Sequence, residues 1–112
     1  MTTITLVQLV APFQLPNADA SAYTAPTLTT AKVGRAVFTN TTASAITITA
    51  GITTGGALAA ATTMISARTL APGESYVSPE LAGAVLPAGS AIRAYASAAT
   101  SVTFTASGLL QQ

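Results

Sequence analysis

The chain of 112 residues has no histidine, no cysteine and no tryptophan, and its four basic and three acidic side chains make up only 6% of it. A typical soluble domain is about 25% charged. Without histidine or thiol, most acid–base, nucleophilic and metal-assisted mechanisms lose their usual residues. The acids are Asp19, Glu74 and Glu80, and the single lysine is Lys32. With no thiol, the redox compartment goes unread, although small secreted domains more often carry bridges. Lys32 and Arg35 lie close together, but Arg68 and Arg93 stand alone, and six aromatics are widely spread. That gives no phosphate-neutralising stripe with stacking platforms, and so no nucleic-acid partner is expected. Mean hydropathy is +0.58, yet no apolar run reaches the roughly 18 residues of a membrane helix. The start, Met1 to Val7, has no positive n-region, the first cation being Lys32. The chain therefore reads as soluble and not exported by a cleaved leader. Together these absences predict no enzyme, with no catalytic, cofactor-binding or metal-ligating residue and no membrane partner.

What is present is alanine and threonine, about two-fifths of all residues, a composition bias. The length fits one domain, residues 1–112, able to bury somewhat under 70% of its unfolded surface. Thr3-Ile4-Thr5-Leu6 alternates polar and apolar as a half-buried strand does. Pro12, Pro16 and Pro26 then push residues 11–31 toward an irregular, extended arm. Residues 1–31 thus read as an N-terminal strand and arm suited to contacts with neighbouring subunits. Downstream, short strand-like runs are punctuated by turns: Val33–Thr39, Ala45–Thr49, Thr62–Leu70, Ser75–Ser78, Ala91–Ala96 and Ser101–Ala106. Ala57–Ala67 is the one helical competitor, because alanine favours helix. The β-branched Thr62, Thr63 and Ile65 and the lack of a capped apolar stripe argue against it. Runs spaced by roughly 8–15 residues predict an all-β fold, an antiparallel β-sandwich, jelly-roll-like, with six to eight strands. Its core is expected to hold Val37, Ile46, Ile48, Ile92, Val102 and Phe104.

Several motifs have plain structural explanations. The Thr-x-Thr triplets at Thr3, Thr27, Thr47 and Thr103 are unequally spaced, so they fill solvent-facing strand positions rather than form a regular ladder. Glu74 follows the Pro72-Gly73 turn and Glu80 follows Pro79, which suits exposed acids better than a glycosidase pair. Arg68 and Glu74 flank that turn and are expected to pair across a hairpin. Asn40-Thr41-Thr42 matches a glycosylation acceptor, but a turn is the simpler reading. Gly55-Gly56 lacks the flanks of a phosphate loop. Tyr23, Tyr76 and Tyr95 are the only tyrosines, there is no tryptophan, and no acid is near Tyr95 in sequence, so an aromatic-and-acid glycan platform is not evident.

A longer pattern runs from Phe38-Thr39-Asn40-Thr41-Thr42-Ala43-Ser44 through Ala45-Ile46-Thr47-Ile48-Thr49 and the Gly-Gly loop. It continues with Leu70-Ala71-Pro72-Gly73-Glu74-Ser75-Tyr76 and Leu86-Pro87-Ala88-Gly89-Ser90-Ala91-Ile92, and ends at Ala94–Gly108. Over roughly residues 23–110 this resembles small virion structural proteins of tailed bacteriophages, similar to capsid decoration (cement) proteins. The resemblance implies a protein of the virion, on the outer surface of the capsid and made in the host cytoplasm. Its implied partners are the phage major capsid protein and copies of itself, as a homo-oligomer that stabilises the head. Tail, fibre and head–tail junction components share the same style, with roles in host attachment or particle assembly. No catalytic residues carry over.

Overall fold

In the computed structural model, which describes residues 3–112, the two stretches of strict alternation become central strands. Ala45–Thr49 leads into β4 (Ile46–Thr53) and Ser101–Ala106 into β9 (Val102–Gln111). Successive side chains of a strand go to opposite faces, so Ile46, Ile48 and Ala50 from β4 and Val102, Phe104 and Ala106 from β9 are all buried. The other strands are β1 (Ile4–Gln14), β2 (Ala20–Thr24), β3 (Thr30–Asn40), β5 (Thr63–Leu70), β6 (Ser75–Val77), β7 (Val85–Leu86) and β8 (Ala91–Ala96). No helix forms among the described residues.

Two antiparallel sheets face each other. One runs β1-β9-β3-β6, with β7 also paired to β3, and the other runs β2-β8-β4-β5. Each sheet interleaves early and late strands, and β1→β2, β3→β4 and β8→β9 all cross between sheets. That is the paired Greek-key connectivity of a jelly roll. Phe38 stacks on Phe104 with ring centroids 4.5 Å apart. Leu15, Ile48, Leu70, Leu81, Leu86 and Ile92 fill the remaining inter-sheet space. The sandwich is the expected one, with nine strands rather than six to eight. The surplus lies in β6 and β7, only three and two residues long.

Residues 11–31 differ from the irregular stretch expected. β1 continues to Gln14, β2 occupies Ala20–Thr24 and β3 begins at Thr30. Leu15, Ala25 and Ala31 are buried within the core. The prolines do not break this arrangement. Pro12 lies on an edge strand, where a missing N–H costs little. The Pro16 carbonyl accepts from Ala96 N–H, and the Pro26 carbonyl closes a turn at Thr29.

Val37 is the one expected core residue on the wrong face. Gly34 is an extra residue on β3, where the pairing with β9 steps from Val33↔Gly108 to Arg35↔Ser107. A one-residue bulge reverses the side-chain phase beyond it. Val33, Ala36, Phe38 and Asn40 therefore point inward, and Val37 lies half-buried on the outer face.

The helical competitor does not form. The Thr62 hydroxyl accepts from Ala59 N–H at 2.9 Å, and the Thr63 hydroxyl donates to the Ala59 carbonyl at 2.8 Å. Such side-chain bonds offer the backbone an alternative to the helix, and Thr63 opens β5 instead.

Candidate functional site

Five of the seven charged side chains, all but Lys32 and Arg35, are engaged in contacts within the fold. Arg68 on β5 and Tyr76 on β6 come from edge strands of opposite sheets, and the guanidinium lies 4.0 Å from the ring centroid. The Tyr76 hydroxyl donates to Glu80, which also accepts from the Ser78 hydroxyl at 3.2 Å. The Tyr76 hydrogen bond is the main cause holding the Glu80 carboxyl below its ordinary range, against the opposing effect of burial. Burial, reinforced by Glu80, pushes the Tyr76 phenol up. The expected Arg68–Glu74 pair is not made. Glu74 instead accepts from Ala71 N–H at 2.7 Å, closing the Pro72-Gly73 turn on itself.

Asp19 forms a second clasp. It accepts from Arg93 Nε at 2.9 Å and from Leu58 N–H at 2.8 Å, tying the β1–β2 connection and the β4–β5 connection to β8. Burial alone would raise this carboxyl, but the Leu58 N–H and the Arg93 guanidinium outweigh it and hold it below the usual value. Glu74 and Glu80 are thus engaged in separate local structures. Among the described residues, no three potential metal-ligating side chains of His, Cys, Asp or Glu type come together.

Asn40 is fully buried. Its amide nitrogen donates to the Ser44 and Leu70 carbonyls, while its oxygen accepts from the Thr42 N–H and hydroxyl. The Asn40-Thr41-Thr42 motif is therefore a structural turn, with its amide turned inward away from any modifying enzyme.

Two surface features remain. The outer face of the β2-β8-β4-β5 sheet carries Arg93 and Tyr95 at alternate positions of β8, with Thr49 paired to Tyr95 and Ser21 to Arg93. The fold thus brings Asp19 to the strand that bears Tyr95, a proximity that linear spacing hides. The outer face of the other sheet carries an apolar row at one end, interrupted by Lys32. Leu6 pairs with Leu109, Leu109 with Lys32, and Lys32 with Val85. Leu6 and Val85 are 83% and 55% exposed. Beside this row lies a shallow notch of about 600 Å³, lined by Leu6, Val7, Leu109 and the backbone of Gly34 and Gly108. Both neighbours of β9 bulge at Gly108, where a Cβ would overlap the Lys32 carbonyl oxygen. Alternation at Thr3–Leu6 marks the strand in sequence, but the notch depends on bulges whose positions alternation does not reveal.

The architecture is that of the jelly roll, a fold shared by viral capsid and lectin domains and cupins. No protein-family model and no curated protein matches the sequence. Among solved structures, the crystal structure of the infectious bursal disease virus VP2 subviral particle is similar over 98% of this chain, with a TM-score of 0.55 and 15% identity. The structure of the Gx strain of the same virus is similar over 99%, with a TM-score of 0.56 and 15% identity. This chain spans about a third of those chains, 32% in each case. At this identity the likeness is one of fold.

Proposed function

We propose that this chain is a structural protein of a bacteriophage virion, a capsid decoration protein that binds the major capsid protein and neighbouring copies of itself and so stabilises the head. One observation carries the reading: nearly the whole chain is a jelly roll that aligns with the protein of a viral particle. The surface chemistry agrees with it. Charges are few, and all three acids and two of the four cations are engaged within the fold, which limits repulsion between crowded copies. The exposed Leu6 and Val85, in one row with Leu109 on the outer face of the β1-β9-β3-β6 sheet, offer apolar area for burial against a capsid. In this reading residues 1–112 act as one domain on the outer surface of the particle, with the N-terminal strand among its contacts.

A second reading is favoured by the outer face of the β2-β8-β4-β5 sheet. Tyr95, Arg93 and Asp19 there resemble the aromatic and polar groups that orient a bound sugar, which fits a tail or fibre component attaching to a host surface. Copy number in purified particles separates the two. On the order of hundreds of copies, following the capsid lattice, supports decoration, whereas about a dozen or fewer at one vertex overturns it in favour of the tail or junction.

A further inference from the structure

β1 has a free edge with the means to accept another strand. Thr3 and Gln112 exchange both backbone hydrogen bonds, at 3.1 and 2.9 Å. Thr5↔Leu110 and Val7↔Gly108 follow in register. In an antiparallel ladder alternate residues turn their amide groups toward the partner. The N–H and C=O of Ile4 and Leu6 therefore face away from β9, and no described residue bonds them. Their side chains, 63% and 83% exposed, stand beside that open edge.

The other edges are protected in the ways natural sheets use. β6 and β7 are three and two residues long. β2 has five residues, is offset between Ser21 and Tyr23, and follows the Asp19–Arg93 pair. β5 is offset twice, carries Arg68 and holds Ala67 in the left-handed region at φ 47°. β1 is itself offset twice beyond Val7 and carries Pro12, but Ile4–Val7 pairs with β9 without interruption, and the strand has no ionisable side chain, the first one downstream being Asp19.

We propose that β1 pairs with β1 of a second copy, antiparallel about a two-fold axis at Thr5, so that the sheets of two copies run on as one. The occupant follows from charge and pattern. A charged strand laid along this neutral edge would lose hydration without gaining a counter-charge, whereas β1 is itself neutral and alternates over Thr3–Leu6. With the axis at Thr5, Ile4 of each copy faces Leu6 of the other, and Thr5 faces Thr5. Moving the axis to Leu6 would set Ile4 against Gln8. An isologous contact of this kind closes on itself, so the open edge ends in a dimer rather than a fibre. The inference deepens the capsid reading by naming how copies meet, but it is tested on the chain alone.

The chain has no cysteine, so one introduced thiol can bridge only between copies. Thr5 turns its own amide toward β9, which makes Thr5–Thr5 a non-hydrogen-bonded pair with Cα atoms about 4.5 Å apart, within reach of a disulfide. Under mild oxidation Thr5→Cys is expected to give a covalent dimer, whereas Met64→Cys on β5 does not. Two short strands make a small interface, so reversible association is read by sedimentation equilibrium up to millimolar protein. Leu6→Lys and Leu6→Pro, the latter removing only an outward N–H, should each weaken it at least about tenfold. Both should keep the wild-type circular dichroism spectrum, and Met64→Lys should associate like wild type. The proposal is overturned if the wild type stays monomeric throughout, if folded Leu6→Lys associates as tightly as wild type, or if Met64→Cys bridges as readily as Thr5→Cys. A chain that bridges through Thr5 but binds no particle supports this inference and overturns the capsid reading. One that binds particles yet never self-associates overturns this inference alone.

Discussion

At the scale of single residues, stability rests on a few buried groups whose roles differ. Phe104 is fully buried, stacked on Phe38 and met edge-on by Phe13 at 6.3 Å. Phe104→Ala should cost about 3–5 kcal/mol, measured by chemical denaturation, because it leaves a cavity where three rings meet. Asn40 acts through polarity rather than volume. Asn40→Ala strips partners from the Leu70 and Ser44 carbonyls and from the Thr42 N–H. It should cost about 1–3 kcal/mol in the same assay, since buried polar groups left unpaired lose their hydration without return. The Tyr76–Glu80 clasp makes stability depend on pH at both ends. The folded pKa of Glu80 is lowered, so its contribution is complete above the unfolded value and is lost as pH falls through the folded one. That of Tyr76 is raised, so its contribution is complete below the unfolded value and is lost as pH rises through the folded one. Thermal midpoints across the pH range should show Glu80→Gln less stable than wild type at neutral pH, with the gap closing in acid. A gap that stays constant in acid would show that Glu80 is not held in the folded state as described.

At the scale of elements, bulges decide what alternation alone does not. β4 and β9 were legible because Ala45–Thr49 and Ser101–Ala106 alternate without interruption and lie mid-sheet, where one face must be buried. β3 was legible as a strand but not in phase. Its apolar residues continue across Gly34, and nothing in the spacing says that the bulge there turns Val37 outward and Phe38 inward. The β1–β2 region departs from the expected irregular arm for a different reason. Three prolines signal a break, yet an edge strand tolerates Pro12 and the connections use Pro16 and Pro26 as hydrogen-bond acceptors. The Arg68–Glu74 pair is not made because β5 and β6 belong to opposite sheets, where Arg68 lies over the Tyr76 ring and Glu74 closes its own turn. The bulges themselves are open to test. Gly108→Ala would drive a methyl into the Lys32 backbone, whereas at Gly34 the nearest atom to such a methyl is the Ser107 carbonyl at 3.4 Å. Thermal denaturation should show a loss of about 1–3 kcal/mol for Gly108→Ala and a clearly smaller one for Gly34→Ala. Equal losses would mean that the two strands do not crowd β9 at this point.

At the scale of the whole molecule, the order of the strands makes the N-terminal region part of the body. The sandwich is elongated, 49 × 26 × 20 Å. β1 packs along β9, which is the last strand, and β2 along β8, so the first quarter of the chain supplies one edge of each sheet. Leu9, Val10, Leu15 and Ala25 enter the same core as Phe104 and Ile92. An arm that merely lay on a neighbour could be removed without unfolding the rest. Here, removal would strip apolar cover from β9 and β8 and expose two long edges in place of the original ones. Exposed edges with hydrophobic faces invite aggregation. Deleting residues 1–25 should therefore give an insoluble product, or a soluble one without a cooperative thermal transition. A folded, cooperatively melting monomer from that deletion would show that β1 and β2 are dispensable and that the core closes without them. Contact with neighbours and membership of the core are not exclusive for this strand. One side of β1 is bonded to β9 while the other side is open, so Leu6→Lys is expected to change association with little effect on folding, and the deletion to abolish both.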